Sequence, residues 1–272
     1  MGVIGDPVAH SLSPAMHNAA FAELGLDMVY VPLHVAEPSV GEAVRGLRAL
    51  GFRGANVTMP HKAAVIAHLD RVADEARLIA AVNTIVVGED GLVGHNTDIP
   101  GFSRALAEVV TEGVAGARAL LLGAGGAGRA AAFALAGESV AQITVVDLTS
   151  ERAAAVAGLL REAGRRVETT ALTIGRVTAS TVARADLVVN ATPLGMPGAG
   201  KVPAVVADNI GRDHIVYDVV YGTRPTQLLE MARDRGARVV DGFAMLVWQA
   251  ALAFELWTGR PAPLEAMRRA VR

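Results

Sequence analysis

The stretch LLLGAGGAGRA, residues 120–130, restricts the possible folds of this chain more than any other feature. Gly123, Gly125 and Gly128 form the pattern G-x-G-x-x-G between an apolar strand and an Ala-rich helix. The first Gly allows a tight turn, the second lets a ligand approach the backbone, and the free N–H groups of the helix start attract phosphate. A Gly-rich turn without a ligand is the alternative. The strand and helix on either side favour a dinucleotide-binding βαβ unit.

The composition indicates a folded protein without nucleic-acid or membrane partners. Of the 272 residues, 52% are hydrophobic and 19% are charged, which is enough for a core and too little charge for disorder. A net charge of −2 provides no positive surface for nucleic acid or anionic lipid. No apolar run reaches the ~18 residues of a membrane helix. Because cysteine is absent and no leader pattern opens the chain, we expect a soluble, cytoplasmic protein.

Short apolar strands alternate with amphipathic helices along the chain, a pattern typical of α/β proteins with parallel sheets. The length favours two domains, with the first boundary near residues 98–104, where the pattern becomes strand-led. The sequence also predicts a helix capped by Ser13, a helix that starts near His61, and a hairpin that turns at residues 89–91.

Lys62 and Asp98 are the candidates for proton transfer. Lys62 is one of only two lysines, the other being Lys201, so 23 of the 25 basic residues are arginines. Its predicted place at a positive helix N-terminus is unfavourable for a cation and would lower a lysine pKa, which suits proton transfer. Asp98 lies near the expected domain boundary, where small-molecule sites collect. A solvated lysine and a helix-capping aspartate are the structural alternatives.

Hydroxyl and amide groups suggest where a substrate binds. Ser11 and Ser13 flank the start of the first helix, where two hydroxyls and free N–H groups can bind a carboxylate. Gln249 lies on the apolar face of the last long helix, where its amide needs a ligand or a buried partner. The seven histidines show no metal-binding spacing, so no metal site is expected.

Asp147 ends the strand that follows the Gly-rich turn, about 20 residues on, where an acidic side chain can bind the ribose hydroxyls of NAD. The 2′-phosphate of NADP would meet a like charge there. Leu148 offers no cation in compensation, whereas Arg152 could. Alternatively, Asp147 lies near a helix N-terminus because the helix dipole stabilises a negative charge there.

Taken together, several motifs resemble the shikimate dehydrogenase family. They occur in the order of that family and cover almost the whole chain: GVIGDPVAHSLSPAMHN, GANVTMPHK, AVNTI, GHNTD, GAGGAGRA, NATPLGM, VYDVVY and DGFAMLVWQAALAFELWTG. The resemblance implies a shikimate-binding domain over residues 1–101, a Rossmann NAD(P)-binding domain over 102–242, and C-terminal helices, 243–272, that pack back on the first domain.

The resemblance also implies roles for individual residues. Lys62 and Asp98 would be the catalytic pair. The implied substrate-binding residues are Ser11, Ser13, Asn56, Thr58, Asn83, Tyr221 and Gln249. The implied cofactor-binding residues are Gly123, Ala124, Gly125, Gly126, Ala127, Gly128, Asp147, Leu148, Thr149, Arg152, Ala191, Thr192, Val219, Gly242 and Met245.

The implied activity is the reversible NAD(P)-dependent reduction of 3-dehydroshikimate to shikimate in aromatic amino-acid biosynthesis, by a monomer or homodimer. NADP-using members commonly carry Asn-Arg-Thr where this chain has Asp147, Leu148 and Thr149. This departure favours NAD as cofactor and resembles the quinate/shikimate branch, whereas the serine pair resembles the shikimate-specific branch. A catabolic NAD-dependent quinate/shikimate dehydrogenase and a non-catalytic dinucleotide sensor are the alternatives.

Overall fold

The protein forms two compact units in a computed structural model that describes residues 1–222 and 224–271. Unit 1 comprises Met1–Thr97 and Val247–Arg272, and unit 2 comprises Asp98–Leu246. The breaks after residues 97 and 246 compare with expected breaks after residues 101 and 242. The chain thus leaves the first unit and returns to it.

Unit 1 is built on a mixed six-stranded sheet. Its strands are β1 Gly2–Gly5, β2 Val31–His34, β3 Gly54–Val57, β4 Arg71–Val72, β5 Thr84–Gly88 and β6 Gly91–His95. Their order is β2-β1-β3-β5-β6-β4. The pairs β3–β5 and β5–β6 are antiparallel and the others are parallel, so the expectation of parallel sheets holds only in part here. The predicted hairpin is confirmed: β5 and β6 pair up to Gly88 opposite Gly91, which has φ +96°.

Helices cover this sheet and enclose an apolar core that includes Ile4, Val44, Val57 and Ile85. They are α1 Ser13–Glu23, α2 Val40–Ala49, α3 Asp74–Leu78, the C-terminal part of α10 Gly242–Thr258, and α11 Leu264–Arg269. Trp257 of α10 donates its indole N–H to the Ile85 carbonyl at 2.9 Å, which attaches the returning helix to β5.

The helix predicted to start near His61 is wrong, because this segment forms only a five-residue 3₁₀ helix, Ala64–His68. The Asp70 N–H donates to the Leu92 carbonyl at 3.0 Å, so the chain joins β6 immediately after the 3₁₀ turn. Pairing with the sheet leaves no room for a longer helix.

Unit 2 contains a fully parallel sheet of six strands: β7 Arg118–Leu122, β8 Gln142–Asp147, β9 Glu168–Thr173, β10 Leu187–Asn190, β11 Ile215–Asp218 and β12 Arg238–Asp241. Their order is β12-β11-β10-β7-β8-β9. Counted from the first strand of the unit, this is the doubly wound order 3-2-1-4-5-6 of a Rossmann fold. Ligands of such sheets bind at the carboxyl ends of the strands where the order reverses, here between β7 and β10.

The helices of unit 2 are α4 Asp98–Ala107, which precedes the first strand, and five that connect the strands: α5 Gly126–Gly137, α6 Ser150–Glu162, α7 Ala179–Ala183, α8 Ala204–Ala207 and α9 Gln227–Asp234. The predicted α/β class with a Rossmann unit is confirmed. The strand β9 was not predicted, because its sequence ETTALT is rich in threonine and lacks a clear apolar run. Among the described residues, no helix has the length and apolarity to span a membrane.

Candidate active site

The Gly-rich turn between β7 and α5 has the geometry that a dinucleotide requires. Gly123 has φ +100°, a backbone conformation that side chains disfavour. A Cβ on Gly128 would lie 2.0 Å from the Gly123 carbonyl oxygen, so only glycine lets α5 start so close to the turn. At Gly125, by contrast, a Cβ would meet nothing within 4 Å. Open space at the second glycine and tight packing at the other two fit a pyrophosphate bound at the start of α5.

Asp147, at the end of β8, supports this turn. Its carboxylate accepts the N–H of Ala124 at 2.8 Å and the N–H of Leu148 at 2.8 Å. The Arg152 Nε lies 3.3 Å from the same carboxylate, and Thr149 caps α6 by accepting the Arg152 N–H. The Leu148 side chain is exposed. Asp147 is therefore engaged by backbone and by a cation, and the nearby guanidinium offsets part of its negative charge.

The carboxyl ends of β10 and β11 hold a buried polar network that the sequence analysis missed. Asp218 is fully buried and accepts hydrogen bonds from Thr226, Asn190 and the Val220 N–H. Burial raises the pKa of Asp218, and these hydrogen bonds offset part of that rise. The signal that could have found it is a polar residue that ends each of two apolar strands, in VVN and IVYD.

The remaining implied cofactor-binding residues of unit 2 lie on the loops after β10 and β11 and at the start of α10. A Cβ on Gly123 would lie 2.7 Å from the Ala191 carbonyl, so the loop after β10 touches the Gly-rich turn. A Cβ on Gly242 would lie 2.2 Å from the Val219 carbonyl, so the start of α10 touches the loop after β11. Met245, one turn along α10, is buried. The backbone segments that carry the implied cofactor-binding residues therefore lie next to one another.

In unit 1, the predicted serine pair lies at the start of α1. The helix begins at Ser13, whose N–H donates to the Ser11 hydroxyl at 3.3 Å. The predicted Ser13 cap is therefore wrong, because Ser13 makes no capping bond and the Ser11 hydroxyl accepts instead. Burial raises the pKa of the Tyr30 hydroxyl well above its usual value, and the neighbouring Ser13 side chain offsets part of that rise.

Tyr30 orients Asn56, and the sequence analysis did not identify it. The Tyr30 hydroxyl donates to Asn56 Oδ1 at 2.6 Å. Asn56 Nδ2 donates to the Asn83 carbonyl and to the Thr84 hydroxyl, each at 3.1 Å. Both amide hydrogens of Asn56 are thus used within unit 1, which leaves Oδ1 as the atom that can accept a ligand hydroxyl. Thr58 follows two residues later, half-buried.

Asn83 connects this cluster to the end of unit 1. Its Oδ1 accepts the Thr97 N–H at 2.8 Å, and its Nδ2 donates to the Thr97 hydroxyl at 3.0 Å. Asp98, the next residue, is buried and begins α4 of unit 2. Asn83 thereby holds the backbone immediately before the candidate catalytic carboxylate.

Lys62 lies in the turn after β3, half-buried, and its carbonyl accepts the Val82 N–H at 2.8 Å. The dipole argument for Lys62 is wrong, because the segment that follows is a single short 3₁₀ turn with little macrodipole. Tyr221 follows β11 and is exposed, whereas Gln249 is half-buried on α10. Within residues 1–222 and 224–271, no group of three or more His, Asp or Glu side chains could hold a metal ion.

His17 lies beside this cluster and titrates abnormally. It is fully buried, stacks on Tyr30 with ring centroids 4.4 Å apart, and lies 5.2 Å from the Trp257 ring. In the described part of the chain neither ring nitrogen makes a hydrogen bond of normal geometry. Burial lowers the pKa of His17 to about 3, although the neighbouring Asn56 side chain raises it slightly.

This burial predicts a loss of stability in mild acid. The unfolded chain takes up a proton at His17 near pH 6.5, whereas the folded chain does so only near pH 3. Stability from this group is therefore complete above pH 6.5 and falls as the pH drops, by ~1.4 kcal/mol per unit. Urea unfolding at pH 7 and pH 5 should show a smaller pH effect in His17→Asn than in wild type. The exposed His10→Asn is the control, and equal pH effects in His17→Asn and wild type would contradict the assignment.

Three family models match the chain. Residues 3–85 match the shikimate dehydrogenase substrate binding domain, and residues 242–272 match the shikimate 5′-dehydrogenase C-terminal domain. Residues 119–194, which contain the Gly-rich turn and the loop after β10, match the saccharopine dehydrogenase NADP binding domain. The models divide the chain much as the two units do.

Curated and solved proteins resemble the chain over its whole length. The shikimate dehydrogenase (NADP(+)) of Methanopyrus kandleri is 48% identical over 276 residues, covering 100% of this chain and 94% of that protein. Shikimate 5-dehydrogenase of Thermus thermophilus, solved with NADP(H) and shikimate, is 39% identical with a TM-score of 0.85, covering 99% and 97%. Quinate dehydrogenase of Corynebacterium glutamicum, solved with NAD, is 36% identical with a TM-score of 0.91, covering 99% and 96%. The chain therefore belongs to the shikimate dehydrogenase family.

Proposed function

We propose that the chain catalyses the reversible NAD(P)-dependent reduction of 3-dehydroshikimate to shikimate, a step of aromatic amino-acid biosynthesis. The observation that carries this proposal is that one chain combines a dinucleotide turn open at Gly125 with the hydroxyl and amide cluster of unit 1. When bound, the nicotinamide ring supplies or accepts the hydride. Full-length identity of 48% to a curated family member supports the same activity.

The proposed roles of the unit 1 residues follow from their chemistry. The Ser11 and Ser13 hydroxyls donate to the substrate carboxylate, as hydroxyls at a helix start can. Asn56 Oδ1, left with a free lone pair, accepts a ring hydroxyl of the substrate. Thr58, Asn83 and Gln249 bind the remaining ring hydroxyls in this proposal, and Tyr221 is assigned to the substrate.

Lys62 and Asp98 are proposed as the proton-transfer pair. The ammonium of Lys62 donates a proton to the carbonyl oxygen that becomes the alcohol, and removes it in the reverse direction. Asp98 accepts a hydrogen bond from the same hydroxyl and so fixes its orientation. A turnover assay with shikimate and either nicotinamide cofactor tests the function: no turnover would leave a non-catalytic dinucleotide sensor.

The NAD-dependent quinate/shikimate dehydrogenase remains the second candidate. Asp147 and Leu148 stand where NADP-using members commonly carry Asn and Arg, and the NAD-bound Corynebacterium quinate dehydrogenase has a similar fold. Assays with shikimate and quinate, each with NAD and NADP, separate the two activities. Action in the cytoplasm belongs to this proposal and is supported by the absence of cysteine. A monomeric or homodimeric state belongs to it as well.

For the cofactor we propose a preference for NAD, with NADP still used. The carboxylate of Asp147 repels the 2′-phosphate of NADP. The Arg152 side chain, whose Nε lies 3.3 Å from that carboxylate, can turn towards the phosphate and keep NADP binding measurable. The Methanopyrus relative is named as an NADP(+) enzyme, which favours the opposite cofactor preference, NADP over NAD. The charges at residues 147 and 152 therefore decide the cofactor.

The double variant Asp147→Asn, Leu148→Arg is expected to shift the kcat/KM ratio towards NADP by about 100-fold. Each charge change is worth about tenfold, or ~1.4 kcal/mol, in a partly buried site. Arg152→Ala in the wild-type background should abolish most NADP use and spare NAD. Steady-state kinetics with both cofactors measures the ratio. A clear wild-type preference for NADP over NAD would contradict the role given to Asp147.

A further inference from the structure

Asp218 connects two loops through a carboxylate that has no contact with solvent. Its Oδ2 accepts the Thr226 hydroxyl at 2.6 Å, and its Oδ1 accepts Asn190 Nδ2 at 2.9 Å and the Val220 N–H at 3.1 Å. Thr226 is also the N-cap of α9. One side chain at the end of β11 therefore holds the loop that follows β11 and the start of the next helix.

Asn190 extends the connection to the loop after β10. Its Nδ2 also donates to the Leu194 carbonyl at 2.9 Å, and its Oδ1 accepts the Thr192 hydroxyl at 2.6 Å. The Thr192 hydroxyl in turn accepts the Leu194 N–H at 3.2 Å. Asn190, like Asp218, is fully buried. Hydrogen bonds from the Asn190 side chain thus fix the loop of residues 191–194, and a hydrogen bond to Asp218 fixes Asn190.

The two loops border the dinucleotide turn and the start of α10. The Ala191 carbonyl lies 2.7 Å from a Cβ built on Gly123, and the Val219 carbonyl lies 2.2 Å from one built on Gly242. Gly123 and Gly242 are therefore in close backbone contact with the two loops. A shift of either loop would displace the dinucleotide turn or the start of α10, so the loops support the backbone segments that carry the implied cofactor-binding residues.

A carboxylate suits this position better than a neutral group. All three partners of Asp218 are donors, and an ionised carboxylate accepts from all of them. An amide in its place would point N–H hydrogens at one of these donors. Hydrogen bonds to a charged group are also shorter and stronger than neutral ones, so they restrict loop movement more.

We propose that Asp218 is a positioning residue for the nicotinamide cofactor: through Asn190 and Thr226 it holds the loops after β10 and β11 in the position that the cofactor requires. The proposal rests on the proposed function, since it takes the dinucleotide as the ligand of unit 2. It assigns to Asp218 an effect mainly on cofactor affinity, with a smaller effect on substrate binding through Tyr221, which follows Val220 in the loop that Asp218 holds.

The test is the dissociation constant of the reduced cofactor, measured by fluorescence titration without substrate, for both NADH and NADPH. Asp218→Asn and Thr226→Val are each expected to raise it about tenfold, or ~1.4 kcal/mol. The KM for shikimate under saturating cofactor should rise less than the cofactor dissociation constant does. Thr226→Ser, which keeps the hydroxyl, should restore wild-type affinity. Thr226→Val keeps the test decisive if Asp218→Asn fails to fold.

A matched control separates positioning from loss of a helix cap. Thr178 caps α7 as Thr226 caps α9, and it is exposed. Thr178→Val should therefore lower the melting temperature like Thr226→Val but leave cofactor affinity unchanged. Wild-type affinity in Asp218→Asn and Thr226→Val, or equal weakening in Thr178→Val, would overturn the proposal alone. Failure of the wild type to bind either cofactor would overturn the proposed function as well.

Discussion

Lys62→Ala is expected to lower kcat by ~10²–10⁴-fold, because a positioned general acid–base group contributes that much to proton transfer. The KM for shikimate should change much less, since the proposed carboxylate and ring contacts come from Ser11, Ser13 and Asn56. A loss confined to kcat is the result expected when a group acts only in the transition state. Steady-state kinetics in both directions, with saturating cofactor, measures the two constants.

The chain contains its own control for this variant. Lys201, the only other lysine, is exposed, so Lys201→Ala removes the same charge and stem elsewhere on the surface. We expect wild-type kcat and KM for Lys201→Ala. If Lys62→Ala retained near-normal kcat, the proton would have to be transferred by another group.

Asp98→Asn is expected to lower kcat by ~10²-fold or more, because the amide keeps the shape of the side chain but loses the charge that orients the substrate hydroxyl. Asp98 is buried, so solvent cannot replace the missing charge. Loss of a negative charge at the first position of α4 should destabilise the fold by up to ~2 kcal/mol, because Asp98 is buried there. Circular dichroism melting and steady-state kinetics on the same preparation separate the two effects.

Asp74→Asn is the matched control for this variant. Asp74 is the first residue of α3, as Asp98 is of α4, but it is exposed and pairs with the exposed Arg77. Exposed pairs contribute little to stability. Asp74→Asn should therefore melt close to wild type and keep its turnover, whereas Asp98→Asn should lose turnover. Equal turnover in the two variants would remove Asp98 from the proposed catalytic pair.

Local sequence was sufficient where a structure depends on neighbouring residues. The turn at Gly123 to Gly128 needs glycine for its own backbone conformation and for contact within six residues, so its pattern predicted the strand, turn and helix correctly. The hairpin at Gly91 depends on an equally short segment. The helix cap predicted at Ser13 was nevertheless wrong. The hydroxyl of either Ser11 or Ser13 could accept an N–H, and because the helix begins at Ser13, the Ser11 hydroxyl is the one that accepts.

Failures of prediction occur where distant segments compete for the same residues. The apolar run after Lys62 fits a helical period, yet bonding of Asp70 to Leu92, 22 residues away, ends it as a single 3₁₀ turn. The side chain that orients Asn56 comes from Tyr30, 26 residues earlier. Nothing in the sequence around Asn56 identifies Tyr30 as its partner, because strand order in the sheet sets this neighbour.

Short-range periodicity, glycine geometry and side-chain chemistry were sufficient to predict the α/β class, the doubly wound unit around the Gly-rich turn and the residues with reactive groups. Which of these groups meet depends on how distant segments pack. Asn190 and Asp218 lie 28 residues apart, and they are partners because the parallel register of β10 and β11 places them opposite each other at the strand ends. The polar residues that end VVN and IVYD mark candidate partners, but the packing of the whole sheet sets which strands pair and in which register.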